Sequence, residues 1–251
     1  MGSLGKKIVL LTGGLGSLGR AQAVKLAGEG AHVLLLDRPD AERGAEITAE
    51  LAAVAGGRIE FIGCDLNRLA DAESQIAALA GAVGGVDILF NNPALILNPP
   101  FQQFSLTEYE EQIRVNSSAP FALAKACAPG MRAKGEGAIV NFCSVTLNGQ
   151  FDGYVPYIAS KGAMLGLTKS LARELGPDGI RVNAVSPGAI VSDAEKRVLG
   201  DDLPAFEARV LGAQCLKTRV HPENVADLVH FLVSPASRMI TGQNFAVDGG
   251  W

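Results

Sequence analysis

Lys7-Ile8-Val9-Leu10-Leu11-Thr12-Gly13-Gly14-Leu15-Gly16-Ser17-Leu18-Gly19 is an apolar run that ends in a glycine-rich turn, and a helical pattern starts at Arg20. Gly14, Gly16 and Gly19 satisfy G-x-G-x-x-G in a strand–turn–helix context. Glycines at such a turn let the backbone fold tightly and approach a pyrophosphate, which the amide-rich start of the helix attracts. A second strand-like run, Ala31–Asp37, ends on a carboxylate eighteen residues after Gly19. A carboxylate there accepts hydrogen bonds from adenosine ribose hydroxyls and repels a 2′-phosphate, which favours NAD over NADP. Arg38 beside it is the residue type that accepts that phosphate, but no Arg or Lys lies between Thr12 and Gly19.

The same rhythm continues along the chain. Strand-like runs at Arg58–Cys64, Val86–Asn91, Gly137–Ser144, Ile180–Ser186 and Phe245–Val247 alternate with helical segments such as Leu18–Glu29, Ala41–Val54, Leu69–Val83 and Tyr157–Leu175. Near-continuous apolar strands separated by helices predict a parallel sheet covered on both faces, with right-handed crossovers. The expectation is an α/β chain forming a single domain over 1–251, a Rossmann-type doubly wound sheet of about seven parallel strands. The rhythm fails between Ile190 and Thr218, an excursion expected to act as a substrate-covering lid over 190–218.

Composition narrows the classes. With 251 residues, 48% hydrophobic and 19% charged, the chain is sized and balanced for one globular core. A net charge of −4 offers no basic footprint for nucleic acid. No apolar run approaches a membrane span, and the residues before Ile8 hold no signal-peptide core, so a cytoplasmic protein is expected. Cys64, Cys127, Cys143 and Cys215 lie far apart with few histidines, which indicates neither a disulfide framework nor a metal site.

A second pattern concerns chemistry. Tyr157 and Lys161 are four apart in a helical segment and share a face, so phenol and ammonium can point into one cleft. A nearby cation favours phenolate, and the Ser144 hydroxyl in the same cleft can hold a substrate oxygen. Such groups suit proton exchange with an alcohol or ketone.

Taken in order, these motifs resemble the short-chain dehydrogenase/reductase family from Thr12 to Gly250. Thr12, Gly13 and Gly19 match its first turn, where Ser17 replaces a glycine and Gly16 stands beside it; Leu18 falls in the same turn. Asp65 and Leu66 match its adenine-contacting position. Asn91-Asn92-Pro93-Ala94 resembles its N-N-A-G, departing at Pro93 and Ala94. Asn116, Ser144, Tyr157 and Lys161 match its catalytic set. Pro187-Gly188 matches the turn after its sixth strand, with Ile190 beyond it and Ser192 where a Thr is usual.

The resemblance implies that Tyr157 is general acid/base, that Lys161 lowers the Tyr157 pKa and holds the nicotinamide ribose, and that Ser144 orients the substrate oxygen. It further implies that Asn116 supports a proton-relaying water, and that Asn91 with Pro187–Ser192 holds the nicotinamide. The implied reaction is NAD-dependent interconversion of a secondary alcohol and a ketone, acting on a small polar alcohol, sugar, polyol or ring hydroxyl. By analogy the pocket draws on Pro93–Leu97, Ser144–Phe151, Tyr154 and Gly188–Leu216. A 3-oxoacyl-thioester reductase is the alternative within the fold, although it would want NADPH and a basic docking patch. A silent dinucleotide-binding sensor or scaffold is the alternative of another class. The family also implies a homotetramer, built through the helices carrying Asn116 and Tyr157 and through the C-terminus, with which Ala119–Ala128 and Trp251 are compatible.

Overall fold

The computed structural model describes residues 2–39 and 41–251. Seven strands form one parallel sheet: β1 (Ile8–Thr12), β2 (His32–Asp37), β3 (Arg58–Gly63), β4 (Ile88–Asn91), β5 (Gly137–Phe142), β6 (Ile180–Pro187) and β7 (Asn244–Val247). Their spatial order is β3-β2-β1-β4-β5-β6-β7, so the chain works outward from β1 and then restarts at β4 on its other side. That reversal makes a crevice at the carboxyl ends of β1 and β4, where open α/β sheets bind ligands.

Strand alternation sends Val9 and Leu11 into one apolar layer and Leu10 into the other. The first layer is closed by α1 (Ser17–Gly28), α2 (Ala41–Ala55) and α9 (Pro222–Val233), which bring Leu26, Ile47 and Val229 onto Val33 and Phe90. The second is closed by α3 (Leu69–Ala82), α5 (Ala119–Lys134) and α6 (Val155–Leu175), through Ile76, Leu123 and Leu175. Both faces of the five inner strands are thus dry, which is why they read as apolar runs with little polar alternation, whereas the edge strands β3 and β7 keep exposed or half-buried residues.

The expected strands and helices are present, with ends displaced by one or two residues. Neither α9 nor the two elements before α5 were foreshadowed. Between α4 (Leu106–Ile113) and α5, Arg114–Ser118 winds as a π-helical turn around Asn116. The excursion after β6 is a helix pair, α7 (Asp193–Leu199) and α8 (Leu203–Ala213), tied back by a bridge between Ile190 and Val220. Among the described residues no helix is long and apolar enough to cross a membrane, and no cluster of metal-ligating side chains occurs. The four cysteines are free thiols.

Candidate active site

The glycine turn sits over the crevice. Thr12 Oγ1 donates to the Phe90 carbonyl at 2.9 Å and accepts from the Asn92 amide at 3.0 Å, which joins the ends of β1 and β4. Gly13 has φ +64°, and a Cβ there would stand 2.6 Å from the Asn92 carbonyl, so both conformation and contact require glycine. At Gly19 a side chain would strike Gly13 and Gly14, so the third glycine lets α1 close onto the turn. Gly16 caps α1 without a side-chain hydrogen bond, leaving the amides at Ser17, Leu18 and Gly19 unclaimed by any cap. Asp37 ends β2 beside this turn: Oδ2 accepts from the Leu15 amide at 2.8 Å, and Oδ1 accepts from Arg38 N at 2.8 Å. The carboxylate is therefore fixed in orientation at the rim of the turn. The combination of glycine cradle, open helix start and fixed acid fits a dinucleotide.

The remaining predicted cofactor contacts ring the same end of the sheet. Asp65 follows β3 and accepts from the Asn67 amide at 2.9 Å, a local turn leading into α3, with Leu66 buried behind it. Pro187 ends β6, and the Gly188 amide donates to the Val247 carbonyl at 2.9 Å. Ile190 is held by its bridge to Val220. Ser192 caps α7, its hydroxyl accepting from the Glu195 amide at 3.0 Å. Asn91 differs from its neighbours. It is fully buried, and its Nδ2 donates to Asn141 Oδ1 at 2.9 Å, while its own Oδ1 has no hydrogen-bond partner among the described residues.

The proton-handling groups meet where β5 and α6 converge. Ser144 lies two residues beyond the end of β5, and its oxygen accepts from the Thr146 amide at 3.2 Å and the Thr146 hydroxyl at 3.0 Å. Two donors on that oxygen leave its own proton for another acceptor, and the Ser144 hydroxyl acts on the Tyr157 phenol in the direction that favours its ionised form. Tyr157 and Lys161 lie one turn apart on the buried face of α6. Lys161 Nζ donates to the Phe142 carbonyl at 2.9 Å and stands 5.5 Å from the centroid of the Tyr157 ring.

The expected lowering of the phenol by Lys161 is not what governs this pair. Burial pushes Tyr157 up to about 12, opposed by the Ser144 hydrogen bond. Burial likewise takes Lys161 down to about 8, opposed only by Cys143. Spacing places the two groups on one face, but desolvation of both decides the direction of the shifts. The adjacent Cys143 thiol is also raised by burial, to about 11, and is no nucleophile at neutral pH.

Asn116 closes the cleft on the α4–α5 side. Its Oδ1 accepts from the Leu95 amide at 2.7 Å, while Nδ2 donates to the Leu95 carbonyl at 2.9 Å and to Ser160 Oγ at 3.1 Å. Ser160 donates in turn to the Tyr157 carbonyl at 2.6 Å. The π-helical turn is what aims this side chain across the cleft, since the extra residue breaks the normal helical phase.

Several supporting groups went unremarked in the motifs. Asn141 links Asn91 to Thr168, whose hydroxyl lies 2.9 Å from Asn141 Nδ2. An Asn inside the apolar strand Gly137–Phe142 was the available signal, because a buried carboxamide must find partners. Gln112 supports the same loop as Asn116, accepting from Leu97 N at 3.3 Å. Trp251, compatible with a subunit contact, also has partners within this chain: its indole N–H donates to Gln150 Oε1 at 2.9 Å and its ring lies 5.2 Å from that of Phe151. Phe151 packs edgewise on Tyr154 at 6.1 Å, and Tyr154 on Tyr157 at 6.0 Å, so an aromatic row runs from the chain's end to the phenol.

Comparison with known proteins agrees with this arrangement. The family model described as enoyl-(acyl carrier protein) reductase matches residues 13–251. D-xylose 1-dehydrogenase of Caulobacter vibrioides is 36% identical over 249 residues, covering 99% of this chain and 97% of the relative. Dehydrogenase/reductase SDR family member 4 of Homo sapiens is 34% identical, covering 98% of this chain and 88% of the relative. The crystal structure of L-sorbose reductase from Gluconobacter frateurii, complexed with NADPH and L-sorbose, superposes with a TM-score of 0.91 at 28% identity, covering 100% of this chain and 97% of that one. The chain belongs to the short-chain dehydrogenase/reductase family of oxidoreductases.

Proposed function

We propose that this protein is a dehydrogenase interconverting a secondary carbinol of a sugar or polyol and the corresponding carbonyl, with NAD preferred over NADP. The observation that carries the reading is the buried Tyr157–Ser144 hydroxyl pair at the end of a dinucleotide cradle. The sugar substrates named for the xylose and sorbose relatives support the substrate class.

Bound nicotinamide supplies the hydride acceptor or donor and, when oxidised, a positive ring charge. The protein does the rest. Ser144 fixes the substrate oxygen against the Tyr157 side chain, and Tyr157 takes the carbinol proton as phenolate or gives its own proton to the carbonyl as phenol. Lys161 accompanies the phenol as the second proton-bearing group of the pair, and Asn116 holds the Leu95 loop that walls the cleft. The Pro187–Ser192 segment and the amides of Ser17, Leu18 and Gly19 hold the nicotinamide and pyrophosphate, with Asp65 and Leu66 at the adenine. Asp37 is the basis for the NAD preference: its carboxylate, pinned by the Leu15 amide beside the glycine turn, would accept from ribose hydroxyls and repel a 2′-phosphate. The helix pair over 193–213 serves as the lid on the substrate side.

Oligomeric assembly belongs to the same reading. Phe101, Leu106, Phe121 and Val155 are exposed apolar residues in and beside α4, α5 and α6, which supports a homotetramer formed through those helices. Light scattering on the purified chain measures it.

The function is tested by a panel of aldoses, polyols, sugar acids and simple secondary alcohols, assayed with NAD and NADP separately. Turnover of a carbinol with NAD bears the reading out. Tight NADH binding without turnover across the panel replaces it with a dinucleotide sensor.

A further inference from the structure

Arg219 is a charged side chain withdrawn from water, only 8% exposed, yet it lies outside every motif. Its Nη2 pairs with Glu195 Oε1 at 2.6 Å and its Nη1 with Glu207 Oε1 at 3.0 Å. The guanidinium also stands 5.7 Å from the centroid of the Phe206 ring. A third contact, at 3.5 Å, reaches the Ala189 carbonyl in the segment that follows β6. One planar fork therefore touches α7 through Glu195, α8 through Glu207 and Phe206, and the loop between Gly188 and Ser192.

Stability alone is a weak reason for this cluster. Desolvating an arginine and a carboxylate that is 11% exposed costs several kcal/mol, which an apolar replacement would avoid. What a planar, multiply donating cation does uniquely is fix several acceptors at set angles. The acceptors here are distinctive. Glu195 lies in the first turn of α7, and its own amide donates to Ser192 Oγ at 3.0 Å. Val220, next to Arg219, accepts from the Val191 amide at 3.0 Å. On the other arm, α8 leads to Cys215 and Leu216, whose amides pair with Gly250 and Gly249 just before Trp251.

We propose that Arg219 is a positioning residue of the hydride-transfer site, holding the α7–α8 pair closed and dividing its work between two arms. The Glu195 arm sets the Ala189–Ser192 loop for the cofactor. The Glu207 arm sets α8 over the substrate. This rests on the function proposed above, which makes that loop and that helix pair parts of the site.

The test compares the full-length wild type with Glu195→Gln, Glu207→Gln, Arg219→Lys and Arg219→Met, measuring NADH affinity, kcat, both KM values and Tm. Breaking the Glu195 arm should weaken NADH binding about tenfold while the carbinol KM moves less than about twofold. Breaking the Glu207 arm should raise the carbinol KM by about fivefold and leave NADH affinity nearly unchanged. Arg219→Met should do both, and Arg219→Lys should recover part of each loss; if the Met variant does not fold, the two Gln variants and the Lys variant carry the test. Variants whose two constants change together, merely tracking Tm, overturn the positioning role, and so do variants with wild-type constants. A wild type that neither binds NADH nor oxidises any carbinol overturns the functional reading as well, which separates the two failures.

Discussion

The carboxamide of Asn116 grips Leu95 at both of its backbone groups, accepting from the amide at 2.7 Å and donating to the carbonyl at 2.9 Å. A buried carboxamide in this bidentate pairing acts as a fastener between the π-helical turn and the loop after β4. Asn116→Asp keeps the size but turns the Leu95 carbonyl and Ser160 contacts from donation into repulsion. It should cost about 1–3 kcal/mol of stability and lower kcat more than it raises cofactor KM. Thermal unfolding with steady-state kinetics checks both, and an unchanged kcat would argue that the loop needs no such fastener.

Tyr157→Phe removes the hydroxyl and leaves the ring among Tyr154 and its neighbours. Turnover should fall by about 10²–10⁴-fold while NADH affinity stays within about twofold, as expected for loss of a general acid/base. Ser144→Ala should act in the same direction, since it also frees the Thr146 hydroxyl from its acceptor. Fluorescence titration and single-turnover rates separate binding from chemistry.

The pKa values of the pair set the pH dependence. The Tyr157–Lys161 pair loses its first proton near pH 8, where Lys161 sits, since Tyr157 is held near 12. Carbinol oxidation needs a site that can accept a proton, so its kcat/KM should rise with pH through about 8, and carbonyl reduction should fall through the same range. Lys161→Met should remove that transition. Stability should follow in a defined direction too. Between about pH 8 and 10.5 the unfolded lysine carries a proton that the folded one lacks, so stability rises with pH relative to Lys161→Met. Above pH 10 the unfolded tyrosine ionises first, and stability falls toward 12. Unfolding at a series of pH values, wild type against variant, reads both signs.

Much of this site was legible in residue order because its parts are local. The strand, glycine turn and helix start lie within Lys7–Arg20, and Asp37 declares itself by ending a strand. Tyr157 and Lys161 needed only helical spacing. What stayed hidden depends on partners from distant elements. Asn91, Asn141 and Thr168 form one buried chain across two strands and a helix, visible beforehand only as polar residues inside apolar runs. The Arg219 cluster exists only once α7 and α8 fold back. The direction of the tyrosine and lysine shifts was also out of reach, because spacing reports which groups are neighbours and not how much water the fold removes from them.

Asp37 leads to a cofactor test with its own control. Asp37→Asn keeps an acceptor for the Leu15 amide but removes the charge, so the glycine turn should hold while repulsion of a 2′-phosphate is lost. KM for NADP should fall by about tenfold or more, a change worth about 1.4 kcal/mol, with a smaller rise in KM for NAD. Arg38, exposed beside it, then becomes the natural phosphate partner, and Asp37→Asn with Arg38→Ala should give back much of the gain. If NADP is already used as well as NAD by the wild type, Asp37 does not set the preference.

Trp251 is the chain's sole tryptophan, so its emission reports one place. The indole is hydrogen-bonded to Gln150 and packed on Phe151, which itself lies under Arg209 at 6.0 Å. That contact joins the C-terminal segment to the loop between Ser144 and Tyr157. Loss of the amide acceptor by Gln150→Ala should free the indole toward water and shift its emission to longer wavelength, with little change in Tm because the site is exposed. A bound sugar-like substrate that orders the loop should produce the opposite shift in the wild type, whereas a simple alcohol too small to reach the loop should not. Trp251→Ala should then raise KM for the larger substrate by several-fold and leave kcat for the smaller one alone, the pattern of a contact made equally in ground and transition states. Equal KM effects on both substrates would place Trp251 outside the substrate cleft, with a purely structural tie to Gln150.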